Sequence, residues 1–393
     1  MSRSFLAVVL LLAATCGGAG GGGMTEPAPT ASLTGFVREL GTGTPISGAT
    51  VTVGALNAST AANGRFTLEN VPIGTAVTVS IVAPGYDQYT EAITILAGSN
   101  SREVSLTRKS LFEIGDKVLY LPPGISTYRG ILFDLPGSSG DSRPWIRGDL
   151  TQTHPGYGNL AEFRRRALNF AGQQQFAIMG TNTFPAGSSS DPSALDPILS
   201  TLVSFAALTG HPELAQAPLL LFGHSLGGCV GYGFTRRHAE QVIALITQKG
   251  PCHSWIIDGG TESVPAYLVI GENDPQNSIG NIIELFERGR ALGAPWSVIL
   301  IPEEDHARTN QFDLLFNWMN AVVALRLPSG TPAPPVQLRP IDTASGWLAD
   351  RSTGAIAGYA CYQGDPLQAS WFPTEQSARD WHGVVGGANV TTC

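Results

Sequence analysis

A serine hydroxyl attacks a carbonyl efficiently only when a neighbouring base takes its proton and an acid holds that base in one tautomer. Three short segments of this chain hold those residue types in a usable order. The first is Gly223-His224-Ser225-Leu226-Gly227, which follows the apolar run Pro218-Leu219-Leu220-Leu221-Phe222 and opens into a helical pattern. A strand that turns sharply into a helix at the serine strains the backbone there, so the residues two before and two after must lack bulk, as Gly223 and Gly227 do. In a chain with 47 glycines the pentapeptide alone means little; the strand before it and the helix behind it carry the reading. The same helix start aims free N–H groups at the serine, which makes the backbone of Leu226 one oxyanion donor.

Three histidines compete as the base. His224 is chain-adjacent to the serine and points along the turn in the wrong direction, and His253 comes too early in the chain. His306 follows the last apolar run, Trp296 to Ile301, in the loop Pro302-Glu303-Glu304-Asp305-His306, and precedes the last amphipathic helix. The acid is expected from the loop Gly271-Glu272-Asn273-Asp274-Pro275 after Tyr267-Leu268-Val269-Ile270. Asp274 closes that turn at the carboxyl end of a strand, where side chains of a parallel sheet converge. Glu272, Glu304 and Asp305 are the rival carboxylates. A second oxyanion donor is expected from Pro136-Gly137-Ser138-Ser139-Gly140, with the Ser138 N–H preferred over its neighbours Gly137 and Ser139. Trp145 and Trp255 are read either as walls of an acyl pocket or as ordinary packing.

The elements that must hold these residues are legible between about Leu111 and Leu327. Apolar runs at Ile131 to Leu135, Phe176 to Met179, Leu219 to Phe222, Val242 to Ile246, Tyr267 to Ile270 and Val298 to Ile301 alternate with amphipathic helices, which predicts an α/β fold with a mostly parallel sheet. Asn159 and Glu162 form a capping-box pattern before a stripe of Leu160, Phe163, Ala167 and Phe170. Ile279, Ile282, Ile283 and Phe286 make a second stripe, and Phe312, Leu315, Phe316, Met319, Val322 and Val323 a third. Ahead of this region, residues 32–108 alternate in short runs (Ala49, Val51, Val53; Phe66, Leu68; Val77, Val79, Ile81) between Gly, Pro and Asn-Gly turns, which predicts a small all-β sandwich. Behind it, residues 328–393 begin with a Pro-rich linker and carry Trp347, Tyr359, Tyr362, Trp371, Phe372 and Trp381. Such a segment is too aromatic to remain solvated and is expected to pack on the α/β region.

Two resemblances attach to these residues. Pro45-Ile46-Ser47-Gly48-Ala49-Thr50-Val51, Asn63-Gly64-Arg65-Phe66 and Pro84-Gly85-Tyr86 resemble the carboxypeptidase regulatory-like β-sandwich, a module that spaces or supports an enzyme. Gly223-His224-Ser225-Leu226-Gly227-Gly228 with Asp274 and His306 resembles the α/β-hydrolases near the secreted feruloyl-esterase and polyhydroxybutyrate-depolymerase group. That likeness implies a doubly flanked α/β-hydrolase sheet at 111–327, the chain order Ser, acid, His, and hydrolysis of an ester through an acyl-enzyme. The family often carries His-Gly where this chain has Pro136-Gly137.

The amino terminus points outside the cytoplasm. Arg3 precedes an apolar stretch from Phe5 to Ala14, the length of a signal-peptide core (1–15), and Cys16 then heads a glycine-rich tether (16–31). The arrangement resembles a lipoprotein signal, so membrane tethering through lipidated Cys16 and free secretion are both open. Beyond Cys16 four cysteines remain. They are read as two disulfides, Cys229 with Cys252 and Cys361 with Cys393, with Cys229 and Cys252 as small buried thiols the alternative. A formal charge of -8 without a basic run excludes nucleic acid as a partner, and no Cys/His spacing calls for a metal or other cofactor. The expected partner is a small-molecule or polymeric ester. The alternatives are a serine peptidase on the same fold, or a surface-tethered binding protein with an inert hydrolase region.

Overall fold

The computed structural model describes residues 28–151, 158–185, 187–250, 256–276, 279–330, 335–387 and 390–391. The leader, Cys16 and the tether as far as residue 27, with Cys252, His253, Trp255 and Cys393, lie outside them; the tether expected at 16–31 is shorter at its carboxyl end, because a strand begins at Thr30. The chain separates into two compact units. One gathers Pro45–Ile81, Tyr89–Val104 and the segment ending at Arg38; the other gathers Glu39–Thr44, Val82–Gln88 and Ser105–Cys393.

The first unit is built from two sheets, in which β1 and β4, β2 and β3, and β5 and β6 pair antiparallel. Strands β1 (Thr30–Glu39), β4 (Arg65–Pro72) and β7 (Ser99–Leu106) form one sheet in the order β4-β1-β7. Strands β2 (Thr50–Val53), β3 (Leu56–Ser59), β5 (Ala76–Val82) and β6 (Tyr89–Thr94) form the other in the order β3-β2-β5-β6. Alternate residues Val51, Val53, Phe66, Leu68, Val79 and Ile81 are buried, the period of two that a half-buried strand requires. Gly64 holds the Asn63-Gly64 turn at φ +79, where a Cβ would stand 2.5 Å from the Val37 carbonyl oxygen.

The second unit centres on eight strands, β8 (Leu111–Ile114), β9 (Lys117–Tyr120), β10 (Gly130–Leu135), β11 (Phe176–Thr181), β12 (Leu219–His224), β13 (Val242–Gln248), β14 (Ala266–Gly271) and β15 (Trp296–Ile301). Their order is β15-β14-β13-β12-β10-β11-β9-β8. From β11 to β15 all neighbours are parallel, and β8 and β9 form an antiparallel hairpin at one edge. The six apolar runs are therefore strands, each one or two residues longer than the apolar residues alone mark, because the ladder continues through Thr181, Gly223-His224 and Thr247-Gln248. The hairpin was not legible beforehand, since Leu111 to Tyr120 is broken by the polar turn Gly115-Asp116.

Helices α1 (Arg143–Arg147), α2 (Leu160–Gln174), α3 (Ile198–Thr209), α4 (Leu226–Arg237), α5 (Ile279–Ala291) and α6 (Phe312–Arg326) cover both faces. Leu219 and Leu221 pack with α3, α4 and α5, while Leu220 and Phe222 pack with α2 and α6. Burial on both faces explains why these strands read as continuous apolar runs rather than alternating ones. At the start of α2 the Asn159 side chain accepts from the Glu162 N–H, half of the capping box. The other half is absent: the Asn159 N–H goes to Asn310 Oδ1, and the Glu162 carboxylate is drawn to Arg165 and Arg166.

Residues 335–387 group with this second unit by contacts. Short strands β16 (Trp347–Ala349), β17 (Ile356–Gly358), β18 (Ser370–Phe372) and β19 (Val390–Thr391) form a sheet in the order β18-β16-β17-β19, followed in the chain, before β19, by helix α7 (Glu375–Val385). They close the β15 edge. Ser370 Oγ accepts from the Val298 N–H and donates to the Val298 carbonyl at 3.2 Å, and Trp381 Nε1 donates to that same carbonyl at 2.9 Å. Side chains thus satisfy an edge that would otherwise offer unpaired backbone groups. Trp371, Phe372 and Trp381 are buried in this packing. Arg290, 1% exposed, donates to the Ala369 and Pro366 carbonyls, and burial pulls its pKa down to about 10. Among the described residues no helix is long and apolar enough to cross a membrane.

Candidate active site

The carboxyl ends of β10, β12, β13, β14 and β15 all deliver loops to one side of the sheet. The strand order reverses beside β12, because the chain leaves β10 to one side for β11 and returns to the other for β12. Such a switch point opens a crevice where loops part.

At the end of β12, Ser225 takes φ 50 and ψ -122, a conformation that costs a residue with a Cβ on the order of 1–3 kcal/mol. Its neighbours hold it there. The Ser225 N–H donates to the Gln248 carbonyl at 2.8 Å, and its own carbonyl accepts from Gly228 N at 2.9 Å as α4 begins. A Cβ on Gly223 would stand 2.6 Å from Gly227 O and Gly228 N, and one on Gly227 would stand 2.1 Å from Leu135 O. Glycine at both positions is what allows β12, α4 and the end of β10 to meet this closely.

Ser225, His306 and Asp274 come together from three loops. Ser225 Oγ lies 2.9 Å from His306 Nε2, and His306 Nδ1 lies 2.8 Å from Asp274 Oδ2. Because a carboxylate only accepts, Nδ1 carries the proton and Nε2 is left to accept from the hydroxyl. The Asp274 side chain is wholly shielded, and its Oδ1 accepts from Gln276 N at 2.8 Å.

The rival carboxylates are occupied elsewhere. Glu304 Oε2 pairs with Nζ of fully buried Lys249 at 2.6 Å, and its Oε1 accepts from Thr309 Oγ1 at 2.6 Å. Glu272 Oε2 accepts from Glu303 N, and Asp305 Oδ1 from Ala307 N. The Glu272–Glu303 bond staples the acid loop to the histidine loop, helped by Asn273 N to Glu304 O at 2.9 Å and Glu272 N to Ile301 O at 3.0 Å.

The loop after β10 brings Gly137 against the serine: a Cβ there would lie 3.3 Å from Ser225 Cβ and 3.1 Å from His224 Nδ1. The Gly137 carbonyl accepts from Thr183 Oγ1 and from Gly140 N, each at 3.0 Å. Ser138 and Ser139 are exposed. Trp145 is 1% exposed in α1, with its ring edge-on to Phe163 and Nε1 donating to Asp134 Oδ2 at 2.8 Å. It is core packing and lines no acyl pocket. Its partner Asp134 also pairs with Arg308 at 2.7 Å. Sequence reasoning did not single out Arg308, Asp134 or Lys249; a cation directly after β13, or two residues beyond His306, was the available signal.

His224 was set aside on the sequence, and the structure gives it a partner. Its Nε2 lies 2.7 Å from the His306 carbonyl oxygen and therefore donates. Burial, and next the Arg308 cation, push its pKa down to about 3.

Cys229, at 5% exposure in α4, and Cys361 are both disulfide-bonded, not buried thiols. Their two candidate partners lie outside the described residues. Among those residues no cluster of His, Cys, Asp and Glu could hold a metal ion.

Fold and site together define an α/β protein with a Ser225–His306–Asp274 hydrogen-bond chain at the carboxyl ends of its parallel strands. Residues 32–107 match the carboxypeptidase regulatory-like domain family, which identifies the amino-terminal sandwich. Esterase PE8 is 17% identical, with 55% of this chain and 100% of that chain covered at a TM-score of 0.38. A thermostable esterase is 12% identical, covering 69% and 91% at 0.35. A phospholipase/carboxylesterase from Dyadobacter fermentans is 15% identical, covering 55% and 100% at 0.35. Curated proteins include none that matches the chain.

Proposed function

We propose that this chain is a serine carboxylesterase of the α/β-hydrolase fold that cleaves an acyl ester outside the cytoplasm. The observation that carries the reading is the unbroken Asp274–His306–Ser225 hydrogen-bond chain ending on a strained serine at the switch point. A purely structural turn has no need of that strain, whereas a nucleophile that must stand clear of its own helix does. The strand order, with an antiparallel hairpin at the edge away from β15, fits the fold.

In the reaction, Ser225 Oγ attacks the acyl carbon as its proton moves to His306 Nε2, and Asp274 stabilises the imidazolium through Nδ1. The Leu226 N–H, at the first turn of α4, is one donor to the oxyanion. The other assigned donor is the Ser138 N–H. The Gly137 carbonyl of the same peptide is anchored by Thr183 and Gly140, and in a trans peptide the N–H points the opposite way. The tetrahedral intermediate collapses, His306 gives its proton to the leaving alcohol, and water repeats the sequence on the acyl-enzyme.

Two disulfide-bonded cysteines favour an oxidising compartment, and the leader and Cys16 agree with export by secretion or lipid anchoring. In this reading 111–327 carries the chemistry, the sandwich serves as a spacer, and no cofactor takes part. The test is labelling with a fluorophosphonate probe together with turnover of p-nitrophenyl acetate. Both are expected of the mature protein and absent from Ser225→Ala; equal labelling of the variant would overturn the assignment.

A further inference from the structure

His224 stands where three loops meet. It is the residue before Ser225, so its backbone position follows the serine's. On one side of its ring, Nδ1 faces Gly137, close enough that a Cβ on that glycine would come within 3.1 Å. On the other, Nε2–H reaches the backbone carbonyl of His306 at 2.7 Å. The two imidazoles lie 5.3 Å apart between centroids, tilted by 51°. His224 is 5% exposed, and no role in the proton relay requires it.

We propose that His224 is a positioning residue: its ring spaces the Gly137 loop from the His306 loop, and its Nε2–H fixes the backbone of His306 so that the imidazole meets Ser225 Oγ. The inference rests on the reading of Ser225 and His306 as nucleophile and base. Its physical basis is that the His306 ring is bonded at Nδ1 to Asp274 and at Nε2 to the serine it must meet, and both bonds depend on where the main chain holds the ring. The bond at the carbonyl anchors that main chain. It is short; burial, and next the Arg308 cation, keep the imidazole neutral, and the carbonyl oxygen opposite Nε2 can only accept, which places the proton there. Small misplacements of a reacting group by about 1 Å cost on the order of a hundredfold in rate, so the bond should act on kcat.

The experiment compares three variants of the whole mature chain with wild type on p-nitrophenyl acetate, each first checked for a cooperative thermal melt. In His224→Gln the amide nitrogen can occupy the place of Nε2 and restore the donor. In His224→Asn the shorter amide reaches only the place of Nδ1, and His224→Phe keeps the ring without a donor. Expected values are kcat lowered about 10- to 100-fold in the Asn and Phe variants with KM within about twofold, and kcat within about fivefold of wild type in the Gln variant. The fluorophosphonate labelling rate should follow kcat. If His224→Phe does not fold, the Asn and Gln pair carries the comparison alone. Near-wild-type kcat in His224→Asn, or equal losses in Asn and Gln variants that both melt cooperatively, overturns the inference while leaving Ser225 as nucleophile. Wild-type protein that neither labels nor turns over ester overturns the functional reading and this inference with it.

Discussion

The Asp274 carboxylate accepts from Nδ1 of His306 at 2.8 Å while its own side chain is entirely shielded from solvent. A shielded carboxylate that holds a largely buried imidazole does two things. It selects the tautomer with Nε2 free to accept, and it opposes the charge that forms on the ring. Asp274→Asn keeps the shape and loses both effects, so kcat should fall about 1,000- to 10,000-fold with KM little changed. Asp305→Asn, which alters only a loop cap on Ala307 N, should stay within about threefold of wild type. Steady-state kinetics on a chromogenic ester separates the two.

Position 227 beside the serine has no room for a side chain. A Cβ on Gly227 would meet the Leu135 carbonyl oxygen at 2.1 Å, and backbone cannot step aside. Gly227→Ala should therefore destabilise the α/β unit by about 3 kcal/mol or more and abolish activity. A denaturant melt that matches wild type would contradict this.

Lys249 is fully buried and pairs with Glu304 at 2.6 Å. Removing one partner of such a pair leaves an uncompensated charge, and Glu304→Ala is expected to cost about 3 kcal/mol. Replacing both residues with methionine should recover much of that loss, because no charge is then left unpaired. Urea denaturation of the single and double variants provides the comparison.

Burial holds His224 neutral, with a pKa lowered from 6.5 to about 3. Below 6.5 the unfolded chain takes up a proton there and the folded chain does not. The contribution to stability is fully present above pH 6.5 and is lost as pH falls toward 3, at about 1.4 kcal/mol per pH unit. Carboxylates titrate in the same window, so the measurement is the difference in pH slope between wild type and His224→Gln. The variant should have the shallower slope between about pH 6 and pH 4.

The Tyr267 hydroxyl is completely buried against Trp318 and Phe372 and finds no hydrogen-bond partner among the described residues. Its desolvation is uncompensated, so Tyr267→Phe should leave stability unchanged or raise it by up to about 1 kcal/mol. A thermal melt that falls by several degrees would show the hydroxyl to be bonded.

Ser225, His306 and Asp274 could be picked out on the chain because each requirement is local: an apolar run long enough to be a buried strand, glycines where a Cβ cannot fit, and a polar residue just past the strand's end. The six central strands were legible for the same reason, since a strand buried on both faces must be apolar at every position. The amino-terminal sandwich showed itself through period-two alternation between glycine turns.

What lay beyond the sequence were relations between distant segments. Nothing local assigns Glu304 to Lys249 rather than to His306, because a buried ammonium selects its carboxylate by where β13 and the last loop happen to meet. Nothing local turns Trp145 into core and not pocket, or sends the aromatic tail to the β15 edge, since an indole ring packs on any apolar face that the fold leaves uncovered. His224 was set aside as the base, but what it does touch was beyond reach: its partner, the His306 carbonyl, arrives from 82 residues away. Residue type limits which bonds a side chain can make; only the closing of the sheet decides which of them is within reach.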